Sequence, residues 1–596
     1  MCSIFGFYRN TDKKTLQMFF DTMRYRGPDA EASIKIDNWL LGNQRLSIID
    51  PRERSDQPMI IGDDYIVYNG EIYNYIELRD KYLKKVKLHT TSDTEILLRL
   101  LAKFGLKILN QLNGMFAFAW YNSKKKELVL VRDRFGVKPL HWMRFRLGLY
   151  FSSEIKPLIK LRKNINFDDT ILASFIENTA TDFDHRSFVE NINLVPPGHY
   201  LKIDEKQKTE LRKWYSYSDT KVNVDGLSER EVIQYFEDLL TDAIKIRLRS
   251  DVPVCITLSG GVDSTLIYTL IKEKLKVKIQ PITFIHPGKE TNEKRKVKKL
   301  VTEYGDKLIT VEGKPHETLA DLKKVLYFLE FPIWNNSASA YYSTYKKIHE
   351  LGYKVVIEGH GGDELLGGYP FMIDLARKDL FYRGKFYSSY QVYKIYEETL
   401  NKSLGQKTGE HFNNFFNYLT SNLYMFVNEN IYKLIGKESA HGIFEKTLRD
   451  NFEVNIIPIV LRTFDRLTMA HSVESRSPFL DYRIVEFARS LPIHNKVNEI
   501  GSKAILREIL KKYNKDYIFK DKVKMGFASN VPDFYNNNRK ELLKLVLKYN
   551  YNKYPQLKKD AFNNLKKKFI RWTDVTPIWK TVSLELTRQM YAIRDW

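Results

Sequence analysis

The stretch Ser259–Ser264, SGGVDS, constrains this chain more than any other. It follows an apolar, β-branched run at 252–258 (VPVCITL), which has the length and composition of a strand covered on both faces. Gly260 and Gly261 let the backbone turn sharply and approach a ligand closely, and the stretch from Thr265, TLIYTLIKEKL, reads as a helix. Strand, Gly-rich turn and helix in that order aim free backbone N–H groups and a helix N-terminus at one point, which favours an anion. Ser259 and Ser264 add hydroxyl donors for phosphate oxygens, and Asp263 can hold a divalent cation that bridges phosphates. An isolated SGG would signify only a tight strand-to-helix connection.

The full string is sharper. It resembles the signature of the ATP pyrophosphatases, which cleave ATP to AMP and pyrophosphate while activating a carboxylate or carbonyl, and it is unlike the GxxxxGK[ST] loop. Strand-like runs at 281–286 (PITFIH), 307–313 (KLITVEG) and 354–359 (KVVIEG) alternate with helix-like runs and predict a parallel sheet. Ligands of such sheets sit beyond the carboxyl ends of the strands. The last run leads into HGGDELLGGY, His360 to Tyr369, where Asp363 is a second candidate ligand for Mg2+.

A chain of 596 residues exceeds what one hydrophobic core serves, so two to four domains are expected. No window of about 20 residues is free of charge, which excludes a membrane-spanning helix. The first residues lack the pattern of an export signal, and two cysteines, Cys2 and Cys255, exclude a disulfide framework, so the expected compartment is cytoplasmic. Lys and Arg exceed Asp and Glu by 96 to 73. The lysines are spread over many helical segments rather than gathered in one arm, so a solvated basic surface is expected and no nucleic acid partner.

Removal of Met1 would expose Cys2 as a residue carrying both a thiol and a free α-amino group, a nucleophile with its own base. Downstream lie RYRGPD from Arg24, GNQRLSIID from Gly42, YNGEIYN from Tyr68, TSDTE from Thr91, LNGMFAFAW from Leu112 and RDRFGVKPL from Arg132. Attack on a carboxamide creates an oxyanion, for which Asn69 and Gly70 offer a side-chain amide and a backbone N–H. Arg45 is a candidate cation for the α-carboxylate of an amino-acid substrate and Asp93 a candidate partner for its α-ammonium. Read singly, Asn69-Gly70 is also a strong hairpin-turn signal and Arg45 an ordinary surface charge.

Together these motifs resemble the class II glutamine amidotransferases. That resemblance implies an Ntn-type αββα sandwich over 2–200, with Cys2, Asn69 and Gly70 catalytic. Glutamine would be bound by Arg45, Leu46, Ser47, Ile48, Ile49, Asn69, Gly70, Glu71 and Asp93. Tyr25 and Asn43 stand where the family usually has His, and His141 where it often has Tyr.

LRTFDRLTMAHSVESRSPFLD at 461–481, GSKAILRE at 501–508 and KMGF at 524–527 complete the pattern. With SGGVDS and HGGDE they resemble the synthetase half of the glutamine-hydrolysing asparagine synthetases. This implies an α/β ATP-pyrophosphatase domain over 228–596, a parallel sheet with a helical cap from Met372 onward. The Pro-rich stretch LVPPGHY near Pro196 marks the joint. The implied ATP site comprises Leu258, Ser259, Gly260, Gly261, Asp263, Ser264, His286, Glu358, Gly359 and Lys503, with Asp263 and Asp363 on Mg2+ and Lys503 on the phosphates. Arg462, Asp465, Arg466, Glu474 and Arg476 can bind substrate or form ion pairs that orient helices.

The expected activity is ATP-dependent amidation of aspartate to asparagine through aspartyl-AMP, with ammonia channelled from glutamine. The partners are small molecules and, as an open expectation, a second copy in a homodimer. His360 stands where the family has an acid, Glu358 where it usually has Ser, and Leu308 where His is common. Histidine also serves as a base near neutral pH. The alternative acceptor is therefore another carboxylate, such as a sugar acid or a precursor of a surface polysaccharide or natural product.

Overall fold

The structure is a computed structural model and describes residues 2–9, 12–146, 148–163, 165–217, 222–285, 292–313, 318–332, 338–403, 442–520, 531–549 and 553–593. The expectations for His286 and for KMGF at 524–527 lie outside the described residues.

The first half holds strands β1 (Ser3–Tyr8), β2 (Ala30–Ile36), β3 (Trp39–Arg45), β4 (Met59–Ile61), β5 (Asp64–Ile72), β6 (Gly114–Asn122), β7 (Glu127–Arg132), β8 (His141–Phe145), β9 (Gly148–Ser152), β10 (Asn193–Leu194), β11 (His199–Ile203) and β12 (Thr209–Lys213). They form two six-stranded antiparallel sheets, ordered β10-β8-β9-β1-β3-β2 and β12-β11-β7-β6-β5-β4. Side-chain alternation explains the layering. In β6, Ala117, Ala119 and Tyr121 face the other sheet, where they meet Ile4, Leu41 and Phe151. Phe116, Phe118 and Trp120 face outward against Leu97 and Leu101 of the helix Asp93–Phe104. Phe5 and Phe7 of β1 likewise cover Phe19 and Phe20 of the helix Lys13–Met23. The result is the expected αββα sandwich.

The second half is built on strands β13 (Val254–Thr257), β14 (Gln280–Ile285), β15 (Ile309–Glu312), β16 (Val355–Ile357) and β17 (Glu474–Arg476). All pair in parallel, in the order β15-β14-β13-β16-β17. Cys255 of β13 turns to one helical layer and Ile256 to the other, so both faces are covered. After β13 the chain builds outward through β14 and β15, then returns to place β16 on the opposite side. The gap between β13 and β16 is thus a topological switch point, where open α/β sheets bind ligands. Helices predominate beyond Met372, as expected. No helix among the described residues is long and apolar enough to cross a membrane.

The two halves meet through buried charges. Arg26 donates from Nη1 to Glu154 Oε1 at 2.9 Å and from Nη2 to Asp465 Oδ2 at 3.0 Å. Arg466 Nη2 lies 2.8 Å from Glu330 Oε2, and Lys156 Nζ lies 2.5 Å from Glu154 and 3.3 Å from Glu330. Burial by itself would raise the Glu154 carboxyl, but Lys156, Arg466 and Arg26 hold it well below the usual carboxylate range. A depressed carboxylate contributes stability that is full above its unfolded pKa, about 4.3, and is lost as pH falls. Glu154→Gln is accordingly expected to cost about 3–5 kcal/mol at pH 7, because it strands buried cations. It should also flatten the loss of Tm between about pH 5 and pH 3, a contrast that thermal unfolding across pH measures directly.

Candidate active sites

In the first half, Cys2 and Asn69 come together. The Cys2 backbone N–H donates to Asn69 Oδ1 at 3.1 Å. Asn69 and Gly70 do not make a hairpin turn. They sit mid-strand in β5, paired with Ala117 and Phe116 of β6, because the flanking apolar residues extend the strand through them. A Cβ on Gly70 would fall 2.1 Å from the Met115 carbonyl oxygen, so only glycine fits. Asn69 Nδ2 is buried and has no hydrogen-bond partner among the described residues, which suits an oxyanion donor awaiting its charge. Burial pushes the Cys2 thiol up, while the Leu46 N–H and the Asn43 side chain pull it back.

Of the remaining residues proposed for glutamine, the Leu46 N–H and the Arg45 charge act on the Cys2 thiol. Leu46, Ser47, Ile48 and Ile49 form a buried run after β3, and the Ser47 N–H donates to Asp29 Oδ2 at 2.7 Å. Arg45 is already held: Nη1 bonds Asp56 Oδ1 at 2.7 Å, and Nη2 bonds the Ile49 and Asp50 carbonyls at 3.0 and 2.6 Å. Clamping a carboxylate would therefore require exchange of one of these partners. Asp93, capped at its helix by Ser92, accepts from the Tyr68 hydroxyl at 2.8 Å and the Ile72 N–H at 2.9 Å. Burial raises its carboxyl, and those two hydrogen bonds oppose the shift. Of the family departures, Tyr25 donates to Glu154 and His141 Nδ1 lies 3.2 Å from the Ser153 carbonyl, so neither disturbs Cys2.

In the second half, β13 delivers buried Leu258 into the loop. Gly260 has φ of 77°, and Gly261 precedes the helix Val262–Leu270, which starts earlier than the sequence suggests and includes Asp263 and Ser264 in its first turn. Ser264 Oγ accepts from the Ser259 N–H at 3.2 Å, and Ser259 Oγ accepts from the Gly261 N–H at 3.3 Å. The hydroxyls therefore shape the loop before any phosphate arrives. From the neighbouring β16, the HGGDE turn brings Asp363 opposite. Lys503 Nζ contacts Asp263 and lies 2.6 Å from Asp363 Oδ1. Two carboxylates converging on one cation suit a hard divalent ion that takes one or two carboxylates and completes its shell with phosphate and water.

The glycines of this turn leave no space. A Cβ on Gly359 would meet Asp263 Cβ at 3.0 Å, and one on Gly368 would fall 1.9 Å from Asp363 Oδ1 and 2.4 Å from Lys503 Cε. Gly368→Ala is expected to reduce pyrophosphate release at least about 30-fold by displacing both groups, with glutamate release and circular dichroism unchanged.

Glu358 does not turn toward the phosphate loop. Its Oε1 accepts from Tyr345 at 2.8 Å and Thr257 at 3.2 Å, and its Oε2 from Ser475 at 2.5 Å, with His360 Nε2 3.3 Å away. Burial favours the neutral acid, but His360, Ser475 and Tyr345 hold this carboxyl below its ordinary range. These contacts set Glu358 beside His360, whose ring lies tilted by 31° against Phe464 with 3.6 Å between centroids. Tyr345 and Ser475 were missed: Ser475 lies 117 residues from Glu358, and Tyr345, 13 residues away on the preceding helix, carries no motif that ties it to the strand.

A cavity of about 30 Å3, room for about two molecules the size of water, lies between the halves. Tyr73, Gly114 and Met115 line it from the first half, and His360, Phe464 and Ser475 from the second.

A family model described as a glutamine amidotransferase domain matches residues 1–215, and one described as asparagine synthase matches residues 235–588. The chain is 27% identical over 561 residues to asparagine synthetase (glutamine-hydrolyzing) 1 of Bacillus subtilis strain 168, covering 88% of this chain and 85% of that protein. It is 27% identical over 572 residues to amidase chyE of Penicillium rubens, covering 85% and 83%. Over 434 residues it is 30% identical to asparagine synthetase B (glutamine-hydrolyzing) of Escherichia coli strain K12, covering 68% of each. With the second model spanning more than half of its length, the chain belongs to the glutamine-hydrolysing asparagine synthase family.

Proposed function

We propose that Cys2 hydrolyses glutamine and that the second half uses the ammonia to amidate a carboxylate activated with ATP, aspartate being the first acceptor to test. The supporting observation is a cavity between the halves whose wall includes Met115, the residue whose carbonyl abuts Gly70, on one side and His360 on the other. In this reading residues 2–200 are the glutaminase and 228–596 the synthetase. Released of Met1, the Cys2 amine takes the thiol proton, and the thiolate attacks the glutamine carboxamide. Asn69 and Gly70 stabilise the oxyanion, and ammonia leaves before water frees glutamate.

The acceptor carboxylate attacks the α-phosphorus of ATP, pyrophosphate departs, and the acyl-adenylate forms. Asp263 and Asp363 would hold Mg2+, which supplies positive charge to the phosphates. The SGGVDS backbone cradles the pyrophosphate, and Lys503 shifts onto its departing charge. Ammonia arrives neutral through the cavity and attacks the acyl carbon. His360, oriented by Glu358, takes the extra proton as AMP leaves, giving the amide.

Purified protein with MgATP and glutamine, with and without aspartate, tests this by pyrophosphate release and the mass of the amide. Aspartate-dependent pyrophosphate together with asparagine supports the reading. Glutamate release with no aspartate-dependent pyrophosphate rejects aspartate. The second reading, another carboxylate as acceptor, is favoured by His360 in place of an acid and by the relative named as an amidase.

A further inference from the structure

Strand β17 is three residues long and serves both sites. Its alternation sends Ser475 to Glu358 of the synthetase site, while Glu474 and Arg476 project to the opposite face, toward the glutaminase half. Arg476 is fully buried. Its Nη1 donates to the Arg247 and Arg249 carbonyls at 2.8 and 2.6 Å, and its Nε to Glu474 Oε1 at 2.6 Å. These three bonds fix the guanidinium plane. The remaining nitrogen, Nη2, reaches across the joint to lie 3.4 Å from Glu71 Oε1.

Glu71 needs such a partner. It follows Gly70 in β5 and is buried beside two further buried acids, Glu474 and Asp93. Burial and then those two charges push its carboxyl well above the usual range, and Arg476 is the side-chain cation that opposes them. The same guanidinium acts against the rise at Asp93, and Lys138 assists it at Glu474. Glu71 and Glu474 both contact the one guanidinium of Arg476, so a fixed cation sets how these buried acids are oriented.

We propose that Arg476 is a positioning residue of the glutaminase site contributed by the synthetase half: it fixes the orientation of Glu71 beside Asp93, so that the two carboxyl groups form a preformed wall for the α-ammonium group of glutamine. The inference rests on glutamine binding at Cys2. It makes the glutamine pocket incomplete without β17, and it gives the two sites one shared strand.

The test is steady-state glutamate release by the full chain carrying Arg476→Met, Glu71→Gln or both, with thermal unfolding in the presence and absence of MgATP. Arg476→Met is expected to raise the glutamine KM about 10- to 100-fold while kcat stays within about threefold. In the double variant the KM should rise by less than the product of the single effects, because removing the Glu71 carboxyl group removes the need for its partner. The MgATP-induced rise in Tm should match that of the wild type. An unchanged KM, multiplicative single effects, or loss of the MgATP response in parallel with the KM effect would each overturn the proposal. If Arg476→Met does not fold, Arg476→Lys carries the test: it keeps the charge but loses the fork, and should raise KM about 5- to 10-fold. A wild-type KM in that variant overturns the proposal as well. Absence of glutamate release from the wild type would instead sink the Cys2 reading itself, so the two failures are distinguishable.

Discussion

Cys2→Ala is expected to lower glutamate release from glutamine by at least about a thousandfold, while ammonium chloride still drives pyrophosphate release within about threefold of wild type. The reasoning starts from inventory. The chain has one other thiol, Cys255, which is fully buried in β13 within the parallel sheet, and burial together with Glu358 pushes it well above its ordinary value. It cannot substitute. What survives in the variant is the oxyanion pair and the clamp, which bind glutamine without attacking it. Because the synthetase residues sit on different strands from Cys2, ammonia supplied from solution should reach the same acyl centre. The measurement is paired glutamate and pyrophosphate release at saturating glutamine and then at saturating ammonium. Equal loss of both reactions would show that the variant has damaged the fold, and retained glutamate release would show that another group is the nucleophile.

The contrast between the two halves shows what could be read in the sequence. SGGVDS carried its own geometry: an apolar strand, two glycines and a helix leave the backbone few alternatives, and the structure joins Ser259 to Ser264 across the turn with Asp263 in the first turn of the helix. The parallel strands were legible for the same reason, since short β-branched runs covered on both faces stand out from amphipathic helices. Local signals failed where partners lie far apart in the chain. Asn69-Gly70, a strong turn signal alone, is overruled by the pairing of β5 with β6. Glu358 reads as one more polar residue beside a nucleotide loop. That it turns instead to Tyr345, Ser475 and His360 depends on β17 lying alongside β16, a contact 117 residues away in sequence for Ser475. The charges at the joint were visible as charges, but pairing Arg26 with Asp465 joins residues 439 apart. Motif spacing names candidate residues; which face each turns to is decided by tertiary packing.

Lys503 is expected to give the second large effect. It stands in left-handed backbone with φ of 55°, immediately before the helix Ala504–Lys512, and this unusual conformation aims a buried ammonium between Asp263 and Asp363. Lys503→Met should reduce pyrophosphate release about 100- to 1000-fold, the range for losing one preorganised charge at a transition state, with glutamate release nearly unchanged. Arg should not fully rescue it, because a planar guanidinium cannot reproduce the point charge that the ammonium places between Asp263 and Asp363. The variant also leaves two carboxylates facing each other without the cation they share, so it should be less stable than the wild type in chelator. A divalent cation can then enter between them without displacing an ammonium. Magnesium alone, with no nucleotide, is therefore expected to raise the Tm of Lys503→Met more than that of the wild type. Thermal unfolding with and without magnesium decides the matter. A larger shift supports the shared cation position, and equal shifts would mean that Asp263 and Asp363 do not form one.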